Sequence, residues 1–69
     1  MIAQSRVIAK GKRIRDLKRL TEEYGGIPSK WVKKSGPRFE VERDLYEYHW
    51  YEYHGIGRFE IKLKKVLMR

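Results

Sequence analysis

From Phe39 onward the chain alternates apolar and polar residues with a period of two, and no other feature restricts its fold as much. Phe39 and Val41 alternate with Arg38, Glu40 and Glu42; Tyr46, Tyr48 and Trp50 with Glu47, His49 and Tyr51; Phe59, Ile61 and Leu63 with Arg58, Glu60, Lys62 and Lys64. Successive side chains of a strand point to opposite faces, so each run reads as a half-buried strand, over about residues 38–42, 45–53 and 58–66. "HGIG", His54 to Gly57, suits a hairpin connection because its two glycines can take positive φ. Arg43 and Asp44 form a poorer turn between the first two strands.

Upstream the period changes. Ile14, Leu17, Leu20 and Tyr24 fall on one stripe at 3.6-residue spacing, with Arg15, Lys18, Arg19 and Glu22 on the other side. This predicts an amphipathic helix over about residues 11–24, closed by Gly25 and Gly26 with Pro28 shortly after. "SRVIA" fits a short strand or an extra helical turn. "PSKWVKKSGP" offers Ser29 as a cap for one helical turn over about residues 30–34, with Trp31 and Val32 packing and the lysines outside. The expected fold is therefore α+β: an N-terminal amphipathic helix packed on one face of a small antiparallel sheet of at least three strands, in a single basic domain spanning residues 1–69.

A chain of 69 residues buries only about 60% of the surface its unfolded form exposes, and with no cysteine neither disulfides nor thiolate zinc can reinforce it. No run approaches the roughly 18 apolar residues of a membrane span. Charge is more telling. Seventeen Lys and Arg oppose nine Asp and Glu, a net charge of +8. Residues 1–37 hold ten basic and three acidic side chains, against seven and six in residues 38–69, so the excess lies in the N-terminal half. That imbalance favours a polyanionic partner, although a small domain also uses net charge for solubility.

Register refines the expectation. If the second hairpin pairs Tyr53 with Arg58, then Tyr51 meets Glu60, His49 meets Lys62 and Glu47 meets Lys64 on one face, while Trp50 meets Ile61 and Tyr48 meets Leu63 on the other. A first hairpin turning at Arg43 and Asp44 pairs Phe39 with Tyr48 and Val41 with Tyr46, and brings Arg38 beside His49. The apolar face would lie under the helix. The other face would present the row Arg38, His49 and Lys62, flanked by Tyr51, Glu60, Glu40, Glu47 and Lys64.

A polar sheet face is by itself an ordinary solvated surface. A histidine between two cations is also a base placed where a phosphate is attracted. Metal-free RNA cleavage asks for a base for the 2′-hydroxyl, cations for the phosphoryl charge and an acid for the leaving 5′-oxygen. His49 is the candidate base or acid, with Tyr51 or Glu60 for the second proton transfer and Glu60 competing as base. Arg38, Lys62 and Lys64 lie beside it. Arg15, Lys18 and Arg19 on the helix, with Lys33 and Lys34 beyond it, would track the phosphate backbone. Trp31 could stack a base, or simply be buried. His54 opens the glycine turn, where a polar residue is at home. Two histidines without a third ligand give no metal site, and Gly55 and Gly57 make no phosphate loop, so no cofactor is expected.

"GKRIRDLKRLTEEYGG", "KWVKKSG" and "HWYEYHGIGRFEIKLK" together resemble the small C-terminal toxin domains of bacterial polymorphic and contact-dependent inhibition systems. There a basic helix ending in Tyr-Gly-Gly precedes a His-Trp-Tyr-Glu strand, a Gly-Ile-Gly turn and a basic strand. Many such domains look like members of the barnase/EndoU/colicin/RelE group. The resemblance implies a metal-independent RNase site on the exposed sheet face, built from His49, Tyr51, Arg58, Lys62 and Glu52. It also implies RNA as substrate, an acidic immunity or antitoxin protein as partner, and action in the bacterial cytoplasm, after delivery from another cell or as a free-standing toxin. Two rivals stand beside it: a non-catalytic nucleic-acid-binding module, and a structural protein whose sheet edges pair into a homodimer.

Overall fold

A computed structural model describes residues 5–68. In chain order it contains β1 (Arg6–Lys10), a 3-10 turn (Gly11–Arg13), α1 (Leu17–Tyr24), a second 3-10 turn (Pro28–Lys30), β2 (Trp31–Ser35), β3 (Phe39–Val41), β4 (Asp44–Tyr53) and β5 (Gly57–Met68). All pairings are antiparallel. β2 and β3 lie end to end along one edge of β4, β5 lies along the other, and β1 flanks β2. The α+β class is as expected, with a correction of order: the helix does not precede the sheet but connects β1 to β2.

The helix is also shorter than its periodicity suggests. Gly11 takes φ +49° and Ile14 is extended (φ −75°, ψ 121°), so helical geometry cannot run through residues 11–14. Ile14 keeps its place in the core from outside the helix, only 3% exposed. An eight-residue helix is marginal in isolation, so its stability comes from setting Leu20 and Leu17 against the sheet. The Gly25 N–H closes it on the Thr21 carbonyl at 2.9 Å.

Residues 31–34 are not helical. They form β2, which pairs with β1 on one side and β4 on the other. Trp31 and Val32 suit a pleated surface, and strands on both sides offer backbone partners that a single helical turn would lack.

The β4–β5 register places His49 opposite Lys62, Glu47 opposite Lys64 and Tyr48 opposite Leu63, as the alternation predicts. Beyond His49 it departs. Glu60 adopts φ +55° at a bulge, so Tyr51 faces Phe59 rather than Glu60, and Tyr53 faces Gly57 rather than Arg58. The β3–β4 hairpin turns at Glu42 and Arg43, both at positive φ (49° and 74°), which pairs Phe39 with Tyr46 and Val41 with Asp44. That slip of two residues keeps side-chain parity in β3 and β4, whereas the bulge at Glu60 moves Phe59 onto the face of Tyr51 and Arg58 onto the opposite one.

The larger correction concerns which face is covered. Ile14 and Leu20 pack with Trp31 and Tyr51, joined by Ala9, Leu17, Tyr53 and Phe59. The helix thus sits on the face that carries His49 and Tyr51, over one end of it. The expected core residues Phe39, Val41, Tyr48, Ile61 and Leu63 stand exposed on the opposite face. Trp50 is fully buried there, its indole N–H donating to Glu52 at 3.1 Å beneath the Arg58 guanidinium.

Candidate functional site

Because α1 covers only the Trp31–Tyr51–Phe59 end of its face, the other end stays open. A cleft of about 500 Å³ lies there, bordered by the chain entering the helix and floored by β2, β4 and β5. Into it come Arg13 and Arg15 from the loop, Lys33 from β2, His49 and Tyr51 from β4, and Lys62 and Lys64 from β5.

Glu47, whose side chain is 3% exposed, does not line the cleft but bonds to His49, which does. Oε2 accepts from Arg38 Nε at 2.7 Å and from Arg6 Nη2 at 3.2 Å; Oε1 lies 3.0 Å from His49 Nε2. The Arg38 bond, then that of His49, with Arg6 behind them, outweigh burial and hold the Glu47 carboxyl down at about 2. Glu47 is therefore ionised and can only accept, which puts the proton of His49 on Nε2. The other ring nitrogen, Nδ1, is buried without a hydrogen-bond partner among the described residues, and so is the Ser35 hydroxyl directly across from it.

The helix-side wall is locked by a second network. Arg19 donates to both oxygens of Glu60 at 2.8 Å, and reaches Glu23 at 3.0 Å and Asp16 at 3.5 Å. The Tyr24 hydroxyl also donates to Glu60, at 2.9 Å. Arg19 accordingly holds the Glu60 carboxyl at about 2, against some burial, with help from Tyr24. The Tyr51 hydroxyl donates to Asp16 Oδ2 at 3.0 Å; burial, then this bond, raises its pKa, while Asp16 is lowered by the same bond. Tyr51 and Glu60 thus shape the wall, their polar atoms already engaged.

The residues singled out from sequence divide cleanly. His49, Tyr51, Glu60, Lys62, Lys64, Arg15 and Lys33 meet in the cleft. Arg38 does not line the cleft: it is bonded to Glu47 at 2.7 Å and bears on His49 only through that carboxylate. Arg19 is spent on Glu60, and Lys18 is exposed on α1. Arg58 and Lys34 are on the far face, where both pair with Glu52, at 3.8 and 2.9 Å. Their parity decides this: Glu52 stands directly opposite Arg58 on β5 and beside Lys34 on β2, one position out of phase with His49. Sequence reasoning missed Arg6 and Arg13, which depend on how β1 enters the sheet, and the central part of Glu47. The i, i+2 spacing of Glu47 and His49 was a usable signal, because it puts both on one face of one strand.

Among the described residues no group of three or more His, Cys, Asp or Glu side chains could hold a metal ion, and no helix is long and apolar enough to cross a membrane. Lys33, Lys62, Lys64, Arg13 and Arg15 line the cleft together with Asp16 and Glu60; Lys62 acts electrostatically on both of these carboxylates, and Lys33 lies over the Tyr51 ring at 5.9 Å. No protein family, curated protein or solved structure matches the chain.

Proposed function

We propose that the cleft binds RNA and that the protein is a metal-independent endoribonuclease acting by 2′-hydroxyl attack. The observation that carries this reading is the Glu47–His49 pair, 3.0 Å apart, with His49 lining a cleft that also takes Arg13, Arg15, Lys33, Lys62 and Lys64. Lys33, Lys62, Lys64, Arg13 and Arg15 hold the phosphates. His49 takes the 2′-hydroxyl proton as that oxygen bonds to phosphorus, and returns it to the 5′-oxygen as the P–O5′ bond breaks, leaving a 2′,3′-cyclic phosphate. The cations stabilise the charge gathering on the phosphoryl oxygens. Glu47, held by Arg38 and Arg6, fixes the tautomer of the ring. Nδ1, which carries the lone pair in this tautomer, is enclosed and without a hydrogen bond among the described residues, so proton transfer there requires the ring to leave Glu47, and that movement accompanies substrate binding. Arg58, Lys34 and Arg19 have no part in this chemistry. An acidic immunity or antitoxin protein that fills the same cleft, and action in a bacterial cytoplasm, belong to the same proposal.

Total RNA incubated with the protein in EDTA tests it. Cleavage with cyclic-phosphate ends is expected, lost in His49→Ala at unchanged circular dichroism. Equal cutting by wild type and His49→Ala would remove the mechanism. A second reading, a non-catalytic RNA-binding module, is favoured by one observation: His49 Nε2, Tyr51 and Glu60 are all bonded within the protein. Intact RNA retained in a salt-sensitive manner would select it.

A further inference from the structure

The face of the sheet away from the helix carries a group of exposed aromatic rings that the cleft does not use. The ring of Phe39 stacks near those of both Tyr46 and Tyr48, at 6.0 and 5.7 Å between centroids, and is inclined to them by only 28° and 26°. Phe39 stands directly opposite Tyr46, and Tyr46 and Tyr48 are two positions apart on β4, so all three rise from one side of the sheet. Burial does not account for them: Phe39 is 36% and Tyr48 46% exposed, whereas Trp50, next on the same side of β4, is 1% exposed. We propose that these three rings form a stacking platform for the bases of single-stranded RNA, a second nucleic-acid site back to back with the cleft.

Ring chemistry and charge both support that occupant. Every base has a π face, so exposed rings accept bases with little regard to sequence. Two positions along a strand span about 6.7 Å, within the reach of neighbouring nucleotides in an extended chain, so Tyr46 and Tyr48 can each take one base. The charge of this side is positive: Lys10, Lys34, Arg58 and Lys65 stand against Glu52 and Asp44. Lys34 meets Glu52 at 2.9 Å and Lys65 meets Asp44 at 3.3 Å, which engages both carboxylates and leaves the cationic excess in place. Lys65 faces Tyr46 from β5, and Lys34 faces Trp50 from β2, one pleat from Tyr48, so the rings lie between two lysines on neighbouring strands. A polyanion is attracted to such a surface, while a second copy of a chain carrying +8 is repelled by it. Arg58 lies over the Trp50 ring at 5.5 Å, toward the other end of β4, and takes no part in the platform.

The platform rests on the RNA reading of the cleft for its class of ligand and is independent of cleavage. A short oligodeoxyadenylate lacks the 2′-hydroxyl and cannot be cut by the proposed chemistry, and an abasic strand of the same length has its charge without its bases. Fluorescence anisotropy in EDTA should show the wild-type protein binding the adenylate strand more tightly than the abasic one. Tyr48→Ala and Phe39→Ala should each weaken adenylate binding by about 5- to 150-fold, the usual effect of removing a stacking ring, and leave abasic binding unchanged. Tyr48→Phe, which keeps the ring, should retain the preference. Lys62→Gln in the cleft should weaken both strands alike. Should Tyr48→Ala lose its circular dichroism, Phe39→Ala on the three-residue β3 gives the same reading. Equal wild-type affinity for the two strands would overturn the platform, and so would a preference that survives both alanine substitutions. Failure of the cleft looks different: Lys62→Gln would leave both affinities unchanged while the preference for bases persisted.

Discussion

Tyr48 and Tyr51 stand three residues apart on the same strand and point to opposite sides of the sheet; Tyr48 is 46% exposed and Tyr51 only 7%. Aromatic content does not separate the two faces, since Tyr46, Tyr48 and Trp50 populate one and Tyr51 and Tyr53 the other. What separates them is the partner layer. Ile14, Leu17 and Leu20 can cover only a patch, and the patch they cover is where Trp31 from β2, Tyr51 from β4 and Phe59 from β5 converge, with Trp31 and Phe59 edge to face at 5.2 Å. The rest of that face, too polar to bury, becomes the cleft. Apolar periodicity thus finds both faces of the sheet and leaves open which one a short helix will choose.

The contrast breaks most visibly at His49. Replacing it with alanine should lower RNA cleavage by about 10² to 10⁴, the usual contribution of a positioned proton-transfer group. Tyr48→Ala, on the other face, should leave the rate constant of the RNA-saturated protein within about twofold. Rates measured under single-turnover conditions decide between them.

Stability should divide along the same line. Trp31 is 1% exposed and touches Tyr24, Tyr53 and Phe59, so Trp31→Ala should cost about 3–5 kcal/mol, enough to unfold much of a domain this small. Leu63 is 52% exposed, and Leu63→Ala should cost less than about 1 kcal/mol in dilute, monomeric solution. Urea denaturation of both variants checks the ordering. Equal losses would mean that the apolar face is covered after all.

Acid should act through the cleft face. Glu47 is held at about 2 against a usual value of 4.5, so the folded state prefers its ionised form. Its stabilisation is complete above about pH 4.5 and is lost as the pH falls through about 2. The difference amounts to about 3 kcal/mol at most, reduced by screening because Arg6 and Arg38 are both about half exposed. Glu60, also at about 2, contributes over the same window. Glu47→Gln should therefore lower stability at pH 6 and flatten, without abolishing, its decline between pH 4.5 and 2, read from urea midpoints at each pH.

Much of this was legible in the residues. The alternation from Phe39 to Leu63 gives three of the five strands and the pairing of His49 with Lys62, because parity survives small errors of turn position. The turn at Glu42 and Arg43 was hidden, since neither residue type favours the positive φ that both adopt. The Glu60 bulge was hidden for the same reason, and it moves Tyr51 onto Phe59. β2 was hidden because "KWVKKSG" is too short to show a period and becomes a strand only through neighbours distant in sequence. Without β2 the positions of Lys33, Lys34 and Arg6 could not be assigned to faces. The residues of the cleft were thus mostly named, and Glu47 was placed on the right face, while its bonds to His49, Arg38 and Arg6 were not foreseen.

The smallest expected effect separates the cations of the two faces. Lys62 and Arg58 lie four residues apart on β5, and their side chains fall on opposite sides of the sheet. If phosphates lie in the cleft, Lys62→Gln removes one counterion-releasing contact and should reduce the slope of log K against log salt by about 0.7, the value for a single-stranded partner. Arg58 lies over the Trp50 ring at 5.5 Å and beside Glu52, so Arg58→Gln should leave the slope unchanged while loosening Trp50. Fluorescence anisotropy with a short single-stranded RNA across a salt series measures both. A slope that falls equally in the two variants would mean that RNA contacts the charge of the whole molecule, and the assignment of binding to the cleft would fail. Adding Lys64→Gln sharpens the comparison, since Lys64 stands across from Glu47 on the same side as Lys62, and a further drop of similar size is expected.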